Sequence, residues 1–143
     1  MTDLSNARPL PRVNAISRPF WEGCNNEVLM LQRCQAPACG HAIYFPRVCC
    51  PYCQCGDVAW ERASGHGTIV SFTIIRRPEH QSFSAEAPYT FVAIRLAEGP
   101  LLYSRLTDPI QSEPRLIGRA VEAVFVAQNA NQKLPYFRLV PAG

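Results

Sequence analysis

Apolar and polar positions alternate with period two through much of the second half of the chain. From Thr68 to Arg76 the residues Val70, Phe72 and Ile74 fall on one face, and from Tyr89 to Leu96 the residues Val92, Ile94 and Leu96 do the same. Glu98-Gly99-Pro100 marks a turn, and Leu101 to Leu106 reads as the hairpin partner. Ile117-Gly118-Arg119 marks another turn, after which Val121, Ala123 and Phe125 alternate with Glu122, Val124 and Val126. Gln128 to Pro135 is polar enough for a loop, and Tyr136 to Val140 supplies a last strand. Five strands in about 75 residues, with this period and no convincing helix, predict a small closed barrel, for which the five-stranded OB-fold is the most economical form.

The first half reads differently. Ser17-Arg18-Pro19-Phe20-Trp21-Glu22-Gly23 predicts a short helix: Ser17 can cap it, Pro19 is tolerated in the first turn, and Gly23 or Asn25-Asn26 can end it. Phe20 and Trp21 are large for so short an element and must pack on something, most simply the body of the chain. Val28 to Arg33, Ala42 to Phe45 and Val58 to Arg62 then predict three short strands around a cluster of cysteines. The expected architecture is mainly β. A flexible arm over 1–16 leads to a helix plus zinc ribbon over 17–63, followed by an OB-fold barrel over 64–143.

The cysteines decide what the front part is. Of seven, six lie between Cys34 and Cys55, and four of these form two close pairs, Cys34/Cys39 and Cys50/Cys53. Two turns that each present two sulfurs close a tetrahedron around one ion. Cys50-Pro51-Tyr52-Cys53 is the stronger half, because proline stiffens the turn. Cys34 and Cys39 have four intervening residues, at the loose end of the usual spacing. We therefore expect Cys34, Cys39, Cys50 and Cys53 to be metal ligands, with Zn2+ the expected ion and iron the alternative. A closed four-sulfur shell leaves no open position for water, so such a site is structural. Cys49 and Cys55 flank the second pair and are possible substitutes, although adjacent pairs pinch the sulfurs. Cys24 stands apart and reads as a small buried residue.

Composition fits this picture. Apolar residues make up 48% and charged residues 17%, as in an ordinary globular chain. No stretch approaches the roughly 20 apolar residues of a membrane span. The opening residues lack the apolar core of a signal peptide, which predicts a cytoplasmic protein, where clustered cysteines stay reduced. The net charge of +3 is spread thinly, and only Arg76-Arg77 are adjacent basic residues. A nucleic-acid face shows a denser basic stripe.

No catalytic constellation stands out. His41 follows the first pair and reads as a solvated loop residue, with replacement of a sulfur as the alternative. His66 lies between two glycines, and His80 lies in a polar stretch. No acid sits in a pattern that would orient any of the three, and no Gly-x-Ser-x-Gly elbow is present. A pairing of Cys24 with a histidine stays open. Two binding roles compete. Phe72, Tyr89, Tyr103 and Tyr136 could stack bases on a barrel, and Arg76 and Arg77 could meet the phosphates of an acyl-CoA.

The ordered set of motifs resembles the DUF35 family. It comprises Phe20-Trp21-Glu22-Gly23, Leu31-Gln32-Arg33-Cys34, Cys39-Gly40, Phe45-Pro46-Arg47, Cys50-Pro51-Tyr52-Cys53, Trp60-Glu61 and Gly65 to Thr73. Ala87-Pro88-Tyr89, Ile117-Gly118 and Leu134 to Phe137 extend the resemblance to about residue 140. The first pair departs from it, since the family usually has two intervening residues. The resemblance implies a rubredoxin-like zinc ribbon joined to an OB-fold. It also implies a non-catalytic scaffold subunit that associates with thiolase-fold enzymes or acyl-CoA hydratases in a hetero-oligomer. The nucleophile then belongs to the partner, and the family offers no catalytic residue to carry over. An acyltransferase complex acting on a phloroglucinol-type acceptor is the specific case it suggests.

Overall fold

Eight strands form two antiparallel sheets in the computed structural model, which describes residues 8–110 and 115–141. Helix α1, Arg18–Asn25, comes first. Ser17 stands at its N-cap but makes no side-chain cap bond. Its hydroxyl instead accepts from the Asn14 N–H, while the Asn14 carboxamide accepts from the Ser17 N–H at 2.9 Å. The asparagine thus takes the turn-forming role expected of the serine. Gly23 does not end the helix, which runs on to Asn25. A Cβ at Gly23 would lie 2.6 Å from Met30 Cγ, so glycine serves close approach of the helix to the next strand.

The small sheet has the order β2 (Ala42–Ile43), β1 (Met30–Cys34), β3 (Val58–Arg62). The large sheet has the order β6 (Leu101–Arg105), β5 (Tyr89–Leu96), β4 (His66–Ile75), β7 (Ala120–Ala127), β8 (Lys133–Leu139). Its two outer strands meet. Leu106 bridges to Phe137 in parallel, the Thr107 N–H donates to the Phe137 carbonyl at 2.8 Å, and the Ser104 hydroxyl donates to the Pro135 carbonyl at 2.6 Å. The result is a nearly closed five-stranded barrel. A 3-10 helix at Gln81–Glu86 interrupts the β4–β5 connection, just after His80.

Strand β4 corrects one expectation. Val70 is 38% exposed, whereas Ile69 is buried beside Val92 and Ile94. Opposite β5, Ile69 pairs with Ile94 and Ser71 with Ala93, so Val70 is an extra residue in a β-bulge. A bulge shifts the alternation by one residue. Before it Ile69 faces inward; after it Phe72 packs against the core. Strand β8 also starts earlier than its composition suggests, at Lys133, with Pro135 inside it. Proline is tolerated there because β8 terminates the hydrogen-bonded order of the sheet.

One apolar core joins the two sheets. Phe20 and Cys24 of α1, Leu29, Leu31 and Ala42 of the small sheet's base, and Ile69, Ile94, Leu102 and Phe137 of the barrel belong to the same buried cluster. The helix is further tied to the β7–β8 turn. The Asn25 carboxamide donates to the Asn131 carbonyl and accepts from the Lys133 N–H at 2.8 Å. At the far end of the small sheet a second, much smaller cluster contains Cys34, Ile43 and Cys50. Of the expected arm, residues 1–7 lie outside the described residues. Arg8 is tied to the barrel through Glu86 and Gln128. Among the described residues no helix is long and apolar enough to cross a membrane.

Candidate metal centre

Each expected ligand is delivered by a turn. Cys34 ends β1, Cys39 lies in the following turn, and Cys50 and Cys53 bracket a turn in the long β2–β3 connection. The chain reverses after each pair through a left-handed residue, Gly40 with φ 67° and Gln54 with φ 65°. Glycine suits the first position; at the second a glutamine accepts a strained conformation.

The four sulfurs converge. The Sγ atoms of Cys34, Cys39, Cys50 and Cys53 all lie within 4.8 Å of one another. Cys34 and Cys53 are 3.5 Å apart, and Cys39 and Cys50 are 3.7 Å apart. A tetrahedral ion with bonds of about 2.3 Å places its sulfurs about 3.8 Å apart, so these edges fit one ion. A disulfide needs about 2.05 Å, and all seven cysteines are free thiols. Four cysteines this close can bind a metal ion. Cys49 is exposed and belongs to no such group, and Cys55 accepts from the Asp57 N–H instead. Cys24 is fully buried on the inner face of α1, and burial pushes its thiol pKa up to about 12.

The Tyr52 N–H donates to the Cys50 sulfur at 3.4 Å, and a backbone N–H lowers the thiol pKa at each of the four sulfurs. The donor lies two residues on in each case: Ala36 for Cys34, His41 for Cys39, Tyr52 for Cys50 and Cys55 for Cys53. Such donors favour negative charge on sulfur, as metal thiolates require. Burial pushes the Cys50 thiol pKa up, but the Cys53 and Tyr52 N–H groups and the neighbouring thiols bring it down to about 7. Cys34, Cys39 and Cys53 move the other way. For each, the backbone donor is outweighed by burial and neighbouring sulfurs. Four converging sulfurs form a donor set that a divalent cation completes.

Two adjacent residues of β1 brace the two turns. Gln32 is buried, and its carboxamide donates to the Arg47 carbonyl and accepts from the Arg47 N–H, both at 2.8 Å. This holds the segment that enters the Cys50 turn. Arg33 donates to the Gly40 carbonyl at 2.6 Å and pairs with Glu61 at 2.8 Å, which holds the Cys39 turn. Side chains alternate along a strand, so one residue braces each side. The His41 ring lies 3.1 Å from the Cys39 sulfur and stacks on Tyr52 at 4.3 Å. It is an exposed loop residue, as the sequence suggests, and it also touches both turns. Neither Gln32 nor Arg33 carries a sequence signal for this role; both become visible only once the strands are paired.

The other candidate residues are scattered. His66 is exposed on β4, and the His80 ring accepts from the Ser82 N–H as a local cap of the 3-10 helix. Arg76 and Arg77 are exposed just beyond β4. Of the aromatic residues considered for base stacking, only Tyr103 is exposed, and its ring lies parallel to that of Phe91.

Several known proteins are similar to this chain. Residues 60–126 match the family described as ChsH2, C-terminal OB-fold domain. A Thermomonospora curvata protein named as a probable enoyl-CoA hydratase alpha subunit is 30% identical over 131 residues, spanning 92% of this chain and 40% of that protein. A DUF35 domain-containing scaffold protein of Pyrococcus furiosus is 30% identical over 93 residues, 65% of each chain. The chain thus spans less than two thirds of the length of these curated relatives. Among solved structures, the one titled Ltp2-ChsH2(DUF35) aldolase superposes with a TM-score of 0.77 at 29% identity, covering 91% of this chain and 98% of that one. A DUF35-family protein of Sulfolobus solfataricus shares the fold, with a TM-score of 0.60 at 14% identity.

Proposed function

The chain belongs to the DUF35 family, and from that premise we propose that it is a non-catalytic scaffold subunit of a thiolase-fold acyltransferase assembly in the cytoplasm. The observation that carries this reading is the superposition over 98% of the Ltp2-ChsH2(DUF35) aldolase chain, which makes nearly all of this chain the counterpart of a component of an enzyme. Relatives named as a hydratase subunit and a scaffold protein support it. The acyl acceptor in this reading is of the phloroglucinol type, and the nucleophile that carries the acyl group sits in the partner.

In this assembly the front module, residues 17–63, is held by Zn2+ on Cys34, Cys39, Cys50 and Cys53. The ion supplies cross-linking and no reaction step, because a four-sulfur shell has no vacant position. This chain's own residues do the rest. Gln32 and Arg33 hold the two turns in register, and the shared core under Phe20 and Leu31 fixes the metal end relative to the barrel. A rigid two-ended body is suited to bridging other subunits.

Purification from the native extract tests this reading. The chain should come out in fixed stoichiometry with a larger thiolase-like enzyme, and acyl transfer should need both. A stable monomer that brings down no such enzyme would overturn it.

A further inference from the structure

Beside helix α1, aromatic rings of Trp21, Phe83, Tyr89, Tyr103 and Tyr136 line a cavity of about 290 Å3, at the lower edge of the size range of small-molecule sites. The cation in its wall is Arg105. Its guanidinium lies over the Tyr89 ring at 4.2 Å and the Tyr136 ring at 4.9 Å, which hold it in place. Among the described residues its one hydrogen bond runs from Nη1 to Glu86, at a long 3.4 Å. Its Nε is buried with no partner among the described residues. A buried guanidinium N–H without an acceptor is costly, and proteins keep few of them. Glu86 does not balance the charge either, since Arg8 takes the same carboxylate oxygen at 2.5 Å. Two cations therefore meet one carboxylate beside an otherwise apolar cavity.

We propose that this cavity binds a planar aromatic molecule bearing a single carboxylate. The ring lies against the aromatic walls, and the carboxylate pairs with the part of the Arg105 guanidinium that lines the cavity. A monoanion matches the excess of one positive charge, and a flat ring matches faces that already stack a planar group. This site goes beyond the scaffold reading and does not depend on it.

The test titrates 2-naphthoate and its uncharged counterpart 2-naphthamide into the metal-loaded full chain, following the Trp21 indole resonance by NMR. Naphthoate should bind saturably at one site, at least tenfold more tightly than naphthamide. Arg105→Gln should remove that preference, whereas Arg76→Gln, at an exposed arginine outside the lining, should keep it. Equal affinity of the native chain for the two probes, or no saturable shift of Trp21, would overturn the proposal even if Arg105→Gln fails to fold. A preference that survives Arg105→Gln would overturn it as well.

Discussion

The two ends of this molecule are held together by different physics. The barrel end buries a continuous core that includes Ile69, Val92, Ile94, Leu96, Leu102, Val121 and Phe137, each at most 2% exposed. The thiolate end buries Cys34, Ile43 and Cys50, and little else. At roughly 25 cal/mol per Å2 of apolar surface, three such side chains cannot offset the ordering of the long connection between Ala42–Ile43 and Val58–Arg62. In the metal-bound reading proposed above, sulfur–metal bonds supply the difference. The boundary between the regimes falls within one sheet, since Leu31 and Ala42 belong to the barrel's core and Cys34 and Ile43 to the tip. Metal loss is therefore expected to melt the tip and spare the base.

The largest effect expected from this contrast is local. Stripping the ion with a strong chelator, or replacing Cys50 and Cys53 together with serine, should remove on the order of 10 kcal/mol from the tip. Hydrogen exchange should show protection lost over residues 34–58 and kept over β4 to β8. Loss of protection in the barrel as well would erase the distinction drawn here. Next comes Phe137→Ala, fully buried where β8 meets Leu106. It should cost about 3–5 kcal/mol in denaturant unfolding of the barrel, while the metal content of the folded fraction stays unchanged.

Gln32→Ala probes the brace. It leaves the Arg47 N–H and carbonyl without their buried partner, a loss of about 1–3 kcal/mol. Because the lost bonds hold the Cys50 turn, metal should be surrendered to a competing chelator faster than in the native chain. Unchanged metal retention would make Gln32 a packing residue only. The smallest effect concerns Glu86. Burial pushes its carboxyl up, but hydrogen bonds and charge from Arg8 and Arg105 hold it below the usual glutamate value. A carboxylate with a depressed value stabilises the fold above its ordinary range and loses that contribution as pH falls through the folded value. Stability should therefore decline below about pH 4.5, and Glu86→Gln should remove that part of the acid sensitivity.

Much of this was legible in the chain. Val58–Arg62 and Tyr89–Leu96 form strands with the bounds that alternation and turn residues suggest, because both are short elements flanked by strong breakers. The cysteine spacing points to the group of four that the structure brings together. What was not legible depends on contacts distant in sequence. Nothing in Val70 announces a bulge; the extra residue is defined only against Ile94 and Ala93 on the neighbouring strand. Nothing in the sequence singles out Arg105, whose setting is defined only by Tyr89 and Tyr136 on other strands. The bond between Asn25 and Lys133 spans most of the chain, and no local pattern predicts it.

Elemental analysis of the purified chain, beside its Cys50→Ser/Cys53→Ser variant, tests the central claim most directly. The account predicts one tightly held zinc ion per native chain and none in the variant. A native chain that is folded over residues 34–58 yet carries no metal, or a variant that keeps its ion, would contradict it.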